Sequence, residues 1–237
     1  MAEQPLIITL DGPAGAGKTT VAKLVAARLG MAYLDSGAMF RGLALFLGPG
    51  SWDRSEQELW EELSSVRFTL VGQADDSYLL MNGLSLSEDI RREEVGLWAS
   101  HLAKIEVVRR HLKAIQQAIG AQTSLVAEGR DMATVFPEAK YKFFLEARPE
   151  ERAWRRFRQL QDLGLAADLQ EITENLRRRD EQDKGRALAP LKPAEDTTII
   201  DTTGLDSEQV VEVIVARVLA GSGPRQSRRQ RKRRGHI

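Results

Sequence analysis

The 237-residue sequence contains no cysteine. That excludes a disulfide framework and any thiolate metal site. Histidine is nearly as scarce: His101, His111 and His236 stand at no metal-ligand spacing. Aromatic residues make up only 6% of the chain, and the four tryptophans, Trp52, Trp60, Trp98 and Trp154, are expected to pack in the core or in a subdomain. No uncharged apolar run approaches the roughly 20 residues that span a bilayer. The opening MAEQP has no basic segment leading into an apolar one, so no secretory signal is expected and a cytoplasmic protein is. Net charge is also absent, with 34 basic and 34 acidic residues, but the balance is uneven. The last 16 residues, SGPRQSRRQRKRRGHI, hold seven Lys/Arg and no acid, which leaves residues 1–221 with 27 basic against 34 acidic, a net of −7. A tail of this composition buries nothing and reads as a disordered, solvated extension. Its other reading is a weak contact for RNA, ribosomes or anionic surfaces.

What is present is ordinary globular composition, 42% hydrophobic and 29% charged, enough for one sizeable core with an inserted subdomain. Short apolar runs at 6–10, 31–35, 124–128, 142–146 and 197–201 read as buried strands. They alternate with helical patterns at 19–29, 36–48, about 149–163, 168–182 and 207–220, the first stopped by Gly30 and the second capped by Ser36. That alternation predicts an α/β fold, three layers around a five-stranded parallel sheet, and the G-x-x-x-x-G-K-T run at residues 12–19 between its first strand and first helix makes it the P-loop NTPase type. Between the second and third of these strands the pattern changes. Residues 52–65 have helical spacing, 66–72 and 77–86 look like strands with Asn82-Gly83 as a hairpin turn, and 87–120 is mostly helical. This stretch predicts a small inserted α+β subdomain.

The sharpest local signal is the loop between the first strand and the first helix. Gly12-Pro13-Ala14-Gly15-Ala16-Gly17-Lys18-Thr19 is G-x-x-x-x-G-K-T, followed by Thr20. In this context the pattern makes a phosphate cradle. Backbone N–H groups turn inward around phosphate oxygens, the positive end of the following helix points at them, and Lys18 adds charge near the β- and γ-phosphates. Thr19 offers a hydroxyl to a nucleotide-held Mg²⁺. ATP with Mg²⁺ is therefore the expected donor. The chain has no Asn-Lys-x-Asp motif of guanine-nucleotide switches and is short for a motor ATPase. A small-molecule kinase fits. Its chemistry asks for positioning and charge neutralisation, hence several arginines aimed at one point.

Four further segments stand in order with that loop: YLDSGAMFR, SEDIRREEVGLWAS, AEGRDMATVFP and RRRDEQDKGRALAPL follow LDGPAGAGKTT. Together they resemble the bacterial cytidylate kinases, from about residue 6 to about 219. The resemblance implies transfer of phosphate from ATP to CMP and dCMP. It implies that Ser36 and Arg41 touch the acceptor nucleotide, and that Ser100, Arg109, Arg130 and Asp131 surround its base and phosphate. It also places Arg179, Asp183 and Arg186 on a lid over ribose and phosphates, with Lys18, Arg130 and Arg186 as catalytic groups. The expected division is a kinase domain over 1–221 and a basic tail over 222–237. Within the kinase domain the core takes 1–35, 104–154 and 190–221, the acceptor region 36–103, and the lid 155–189. Nothing demands more than a monomer.

The chemistry of cytosine agrees with these roles. A carboxylate such as Asp131 accepts from N4, while Arg109 and Ser100 can donate to N3 and O2. Uracil reverses that edge and leaves buried groups unsatisfied. Arg41, Arg130 and Arg186 supply planar donors for the acceptor phosphate and the group in transfer. Glu128 ends a buried strand where an acid could orient Mg²⁺-bound water, and Arg155, Arg156 and Arg158 form a basic helix face beside the lid. One departure is local: GRDMATVFP has Ala133 where the family usually has glycine and one valine fewer before Phe136. A glycine there with positive φ would make alanine costly. Two rivals remain at this stage, a P-loop kinase with another acceptor and an RNA-binding protein acting through the tail.

Overall fold

The structure is a computed structural model that describes residues 4–162, 164 and 166–221. The basic tail, 222–237, lies outside the described residues. The chain runs through β1 (Ile7–Asp11), α1 (Lys18–Leu29), β2 (Ala32–Asp35), α2 (Ser36–Leu47) and α3 (Glu56–Leu63). It then forms β3 (Phe68–Val71), β4 (Tyr78–Met81), β5 (Leu84–Ser85), α4 (Glu93–Leu102) and α5 (Glu106–Gly120). It returns through β6 (Leu125–Gly129), α6 (Met132–Val135), β7 (Tyr141–Glu146), α7 (Pro149–Asp162), α8 (Leu169–Lys184), β8 (Thr198–Asp201) and α9 (Ser207–Gly221).

Strands β2, β6, β1, β7 and β8 lie in that order in one parallel sheet, as the short uninterrupted apolar runs predict. Such strands are covered on both faces. One face packs Leu34, Met39, Leu43, Val108, Leu112 and Leu125 with α2, α4 and α5. The other packs Ile8, Leu10, Val25, Phe143 and Ile214 with α1 and α9. A fully buried side chain of this size stabilises by about 1.5–3 kcal/mol. β3, β4 and β5 form a separate antiparallel sheet, with Asn82 and Gly83 at the turn between β4 and β5, both at positive φ.

Three local expectations change. Helix α2 is capped by Asp35, whose carboxylate accepts from Ala38 N at 2.8 Å, and not by Ser36, whose hydroxyl donates to Glu128 O at 2.7 Å. Trp60 and Trp154 are 47% and 48% exposed, so neither is core; each meets one aromatic neighbour edge-on, His111 and Phe157. Ala133 sits inside α6 and is not among the residues at positive φ, so the missing glycine costs no backbone strain.

Candidate active site

The loop after β1 closes over the carboxyl end of the sheet. Gly12 has φ +149, and a Cβ there would collide with the carbonyl of Leu145 on β7, so the glycine lets the two backbones touch. Gly17, in the left-handed region, turns the chain into α1. Lys18 is buried and its ammonium donates to Pro13 O at 2.7 Å, holding the loop closed. Burial, and then the charge of Arg130, pull the Lys18 ammonium below the usual lysine range, while Glu128, Asp11 and Asp183 act against this.

Asp11, at the end of β1, supports the other side. Its carboxylate accepts from Met132 N at 2.7 Å and Ala133 N at 2.9 Å, capping the start of α6. These bonds fix the peptides that follow Asp131. Burial raises the Asp11 carboxyl to about 6, with Asp131 adding to the rise and the two N–H donors resisting it.

A cleft of about 680 Å³ joins the loop to the ends of α2, α4, β6 and α8. It is lined by Ala14 to Val21 on one side and by Ser36, Arg41, Ser100, Arg109, Arg130, Asp131, Arg179, Asp183 and Arg186 on the other. Every acceptor-side residue expected from the sequence is therefore in one cavity with the loop; Gly12 and Pro13 are buried and do not line it. The lining holds ten basic and six acidic side chains, an excess of positive charge in a chain whose first 221 residues are net acidic. Such a cleft focuses anions.

The charged groups form two knots. Arg109 pairs with Asp131, and also donates to Ala103 O at 3.0 Å. Asp183 on α8 takes Arg130 Nε at 2.9 Å on one oxygen and Arg186 on the other. Burial alone would raise the Asp183 carboxyl, but Arg130 and Arg186 outweigh it and hold it below the usual range. Burial works against the Arg130 cation, yet Asp183 beside it raises it above the ordinary arginine value. Arg179 and Arg186 are pushed down by burial first; Arg130 adds to this at both, while Asp183 opposes it. Arg41 reaches Asp35 at 3.3 Å. Arg41 Nε and Arg186 Nε are buried and find no hydrogen-bond partner among the described residues. A buried guanidinium with an idle donor is costly unless a ligand completes it.

Other polar contacts of these residues were not legible in advance. Ser100 donates to Gln182 Oε1 on α8 at 3.1 Å, and Tyr33 donates to Glu128 Oε1 at 2.6 Å. Burial first, and then Asp35, raise the Glu128 carboxyl, while Lys18, Thr19 and Tyr33 oppose the rise. Arg155 is not a free basic face: it donates to Thr202 Oγ1 at 2.9 Å and Thr202 O at 2.6 Å. Arg156 pairs with Glu93, and Arg158 is exposed.

Residues 8–219 match the cytidylate kinase family. A cytidylate kinase of Maridesulfovibrio salexigens is 55% identical over 214 residues, 90% of this chain and 96% of that one. A cytidylate kinase of Nitratidesulfovibrio vulgaris is 52% identical over 218 residues, 92% and 94% of the two chains. Among solved structures, an uncharacterized protein from Eubacterium ventriosum superposes with a TM-score of 0.51 at 12% identity, over 92% of this chain and 99% of that one; at that identity the likeness is one of fold alone. A family match over nearly the whole described chain, with relatives above half identity, shows that this chain belongs to the cytidylate kinase family.

Proposed function

We propose that the protein transfers the γ-phosphate of ATP to CMP and dCMP, giving CDP and dCDP. The observation that carries the reading is the pair of idle guanidinium donors, on Arg41 and Arg186, in the cleft the phosphate loop opens into. They ask for an anion facing the donor's phosphates. Arg41, Arg130 and Arg186 hold the acceptor phosphate, and Arg130 and Arg186 also meet the charge that spreads over the group in transfer. Lys18 takes the same charge from the donor side.

Asp131 reads the cytosine amino group and Arg109, already paired with it, turns its guanidinium to N3 and O2. Ser100 completes the edge, and Arg179 and Asp183 bind the ribose. Closure of the lid segment that carries α8 over both bound substrates excludes water, so that ATP is not simply hydrolysed.

The donor set also fits Mg²⁺. The Thr19 hydroxyl lines the cleft next to the buried carboxylate of Glu128, and hard cations of this kind take oxygen ligands. Thr19 would hold the ion and Glu128 would orient its water. When bound with ATP, the ion neutralises phosphate charge.

The test is an acceptor panel of CMP, dCMP, UMP, AMP and shikimate with ATP. Turnover with CMP and dCMP far above the others is expected. No turnover with CMP at millimolar concentration, or preference for shikimate, rejects the reading in favour of a P-loop kinase with another acceptor.

A further inference from the structure

Arg152, on α7, takes no part in the roles above, yet it is 5% exposed and fully engaged. Its Nη1 donates to Ala14 O, inside the phosphate loop, at 2.9 Å. Its Nη2 donates to Asp180 on α8 at 2.6 Å, and its Nε to Ala147 O at 3.2 Å. Around this bond Ala14 packs with Ala153, Ile172 and Leu176 in a small apolar cluster. The next loop residue, Gly15, lies so close that a Cβ would stand 3.0 Å from Arg152 O. The outer side of the loop thus rests on α7 and α8.

The geometry of one peptide unit gives this contact a meaning. The Ala14 carbonyl and the Gly15 N–H belong to the same planar peptide and point opposite ways. When the N–H faces a phosphate, the carbonyl faces outward, where Arg152 holds it. Through Asp180 the same guanidinium holds α8, on which Arg179 precedes Asp180 by one residue and Asp183 follows it by three. Asp180 Oδ1 is buried with no partner among the described residues, which makes the pair a poor device for stability alone.

We infer that Arg152 is a positioning residue that ties the Ala14–Gly15 peptide to α8, so that a nucleoside triphosphate in the loop sets where Arg179 and Asp183 stand. The inference rests on the donor half of the proposed function and not on the identity of the acceptor. Coupling of this kind is reciprocal: the acceptor seated under α8 favours the loop conformation that holds the donor.

Hydrogen exchange at the amides of α8, with and without a non-hydrolysable ATP analogue plus Mg²⁺ and with no acceptor present, tests it. Arg152→Met alone strands a buried carboxylate, so the comparison is with the double variant R152M/D180L, which replaces the ion pair by apolar side chains. Its melting temperature reports folding, and exchange at α1 reports saturation. In the wild type the analogue slows exchange of α8 by roughly tenfold, within the usual range for coupled sites. In the double variant the slowing disappears while α1 stays protected. Equal slowing of α8 in both proteins, or none in the wild type, overturns the inference. Failure of CMP to bind either protein would count against the acceptor assignment alone.

Discussion

Asp131→Asn replaces a carboxylate by an amide of the same shape at the proposed base-reading edge. In the native protein the Asp131 side chain is 9% exposed and paired with Arg109. UMP seated there would press O4 against that carboxylate with no proton between them. An unsatisfied buried polar group costs about 1–3 kcal/mol. At about 1.4 kcal/mol per tenfold, this disfavours UMP by roughly 5- to 150-fold in kcat/KM. The amide removes the penalty, because its NH₂ donates to O4. The same change weakens CMP, which loses a charge-assisted bond. The CMP-to-UMP preference should therefore shrink by at least that factor. Release of ADP, coupled to NADH oxidation, measures both acceptors, and a melting curve checks that Arg109 without its partner has not unfolded the protein. A folded Asp131→Asn variant with the wild-type ratio would refute the base-reading argument.

Two further outcomes follow from the same geometry. Arg130→Ala removes a donor proposed to meet the transferring phosphoryl group, and kcat with CMP should fall by about 10²- to 10³-fold; near-normal turnover contradicts the role. Asp11 has a folded-state pKa of about 6 against an ordinary 3.8, so the folded state holds this proton longer and stability falls as pH rises between those values, by about 3 kcal/mol in all. Carbon-13 NMR of the Asp11 carboxyl should show a midpoint near 6, and a midpoint at or below 4 would show that the two N–H bonds outweigh burial.

The sheet was readable because a parallel strand covered on both faces is a short, uninterrupted apolar run, and all five such runs are strands of one sheet. The loop was readable because its glycines and Lys18 lie within eight consecutive residues. The acceptor side was readable only as an ordered set of motifs, since Arg41 lies on α2, Arg130 in the loop after β6 and Arg186 just past α8, and each alone looks like surface. What stayed hidden has a common cause. The contacts of Arg152 with Asp180, Ser100 with Gln182, Tyr33 with Glu128 and Asp11 with α6 span 28, 82, 95 and 121 residues. No local periodicity encodes a side-chain bond of that reach. The cap of α2 was misplaced by one residue because Asp35 and Ser36 are both good caps; β6 decides, by giving the Ser36 hydroxyl an acceptor at Glu128 O. The exposed Trp60 and Trp154 show the converse, large apolar residues that size and hydrophobicity alone place inside.

The most direct measurement is a crystal structure of the protein with CMP and a non-hydrolysable ATP analogue. The cytosine amino group should lie within hydrogen-bond distance of Asp131, and the CMP phosphate should fill the idle donors of Arg41 and Arg186 beside Arg130, facing the γ-phosphate across the cleft. CMP bound away from those arginines, or with its base turned from Asp131, would contradict the account.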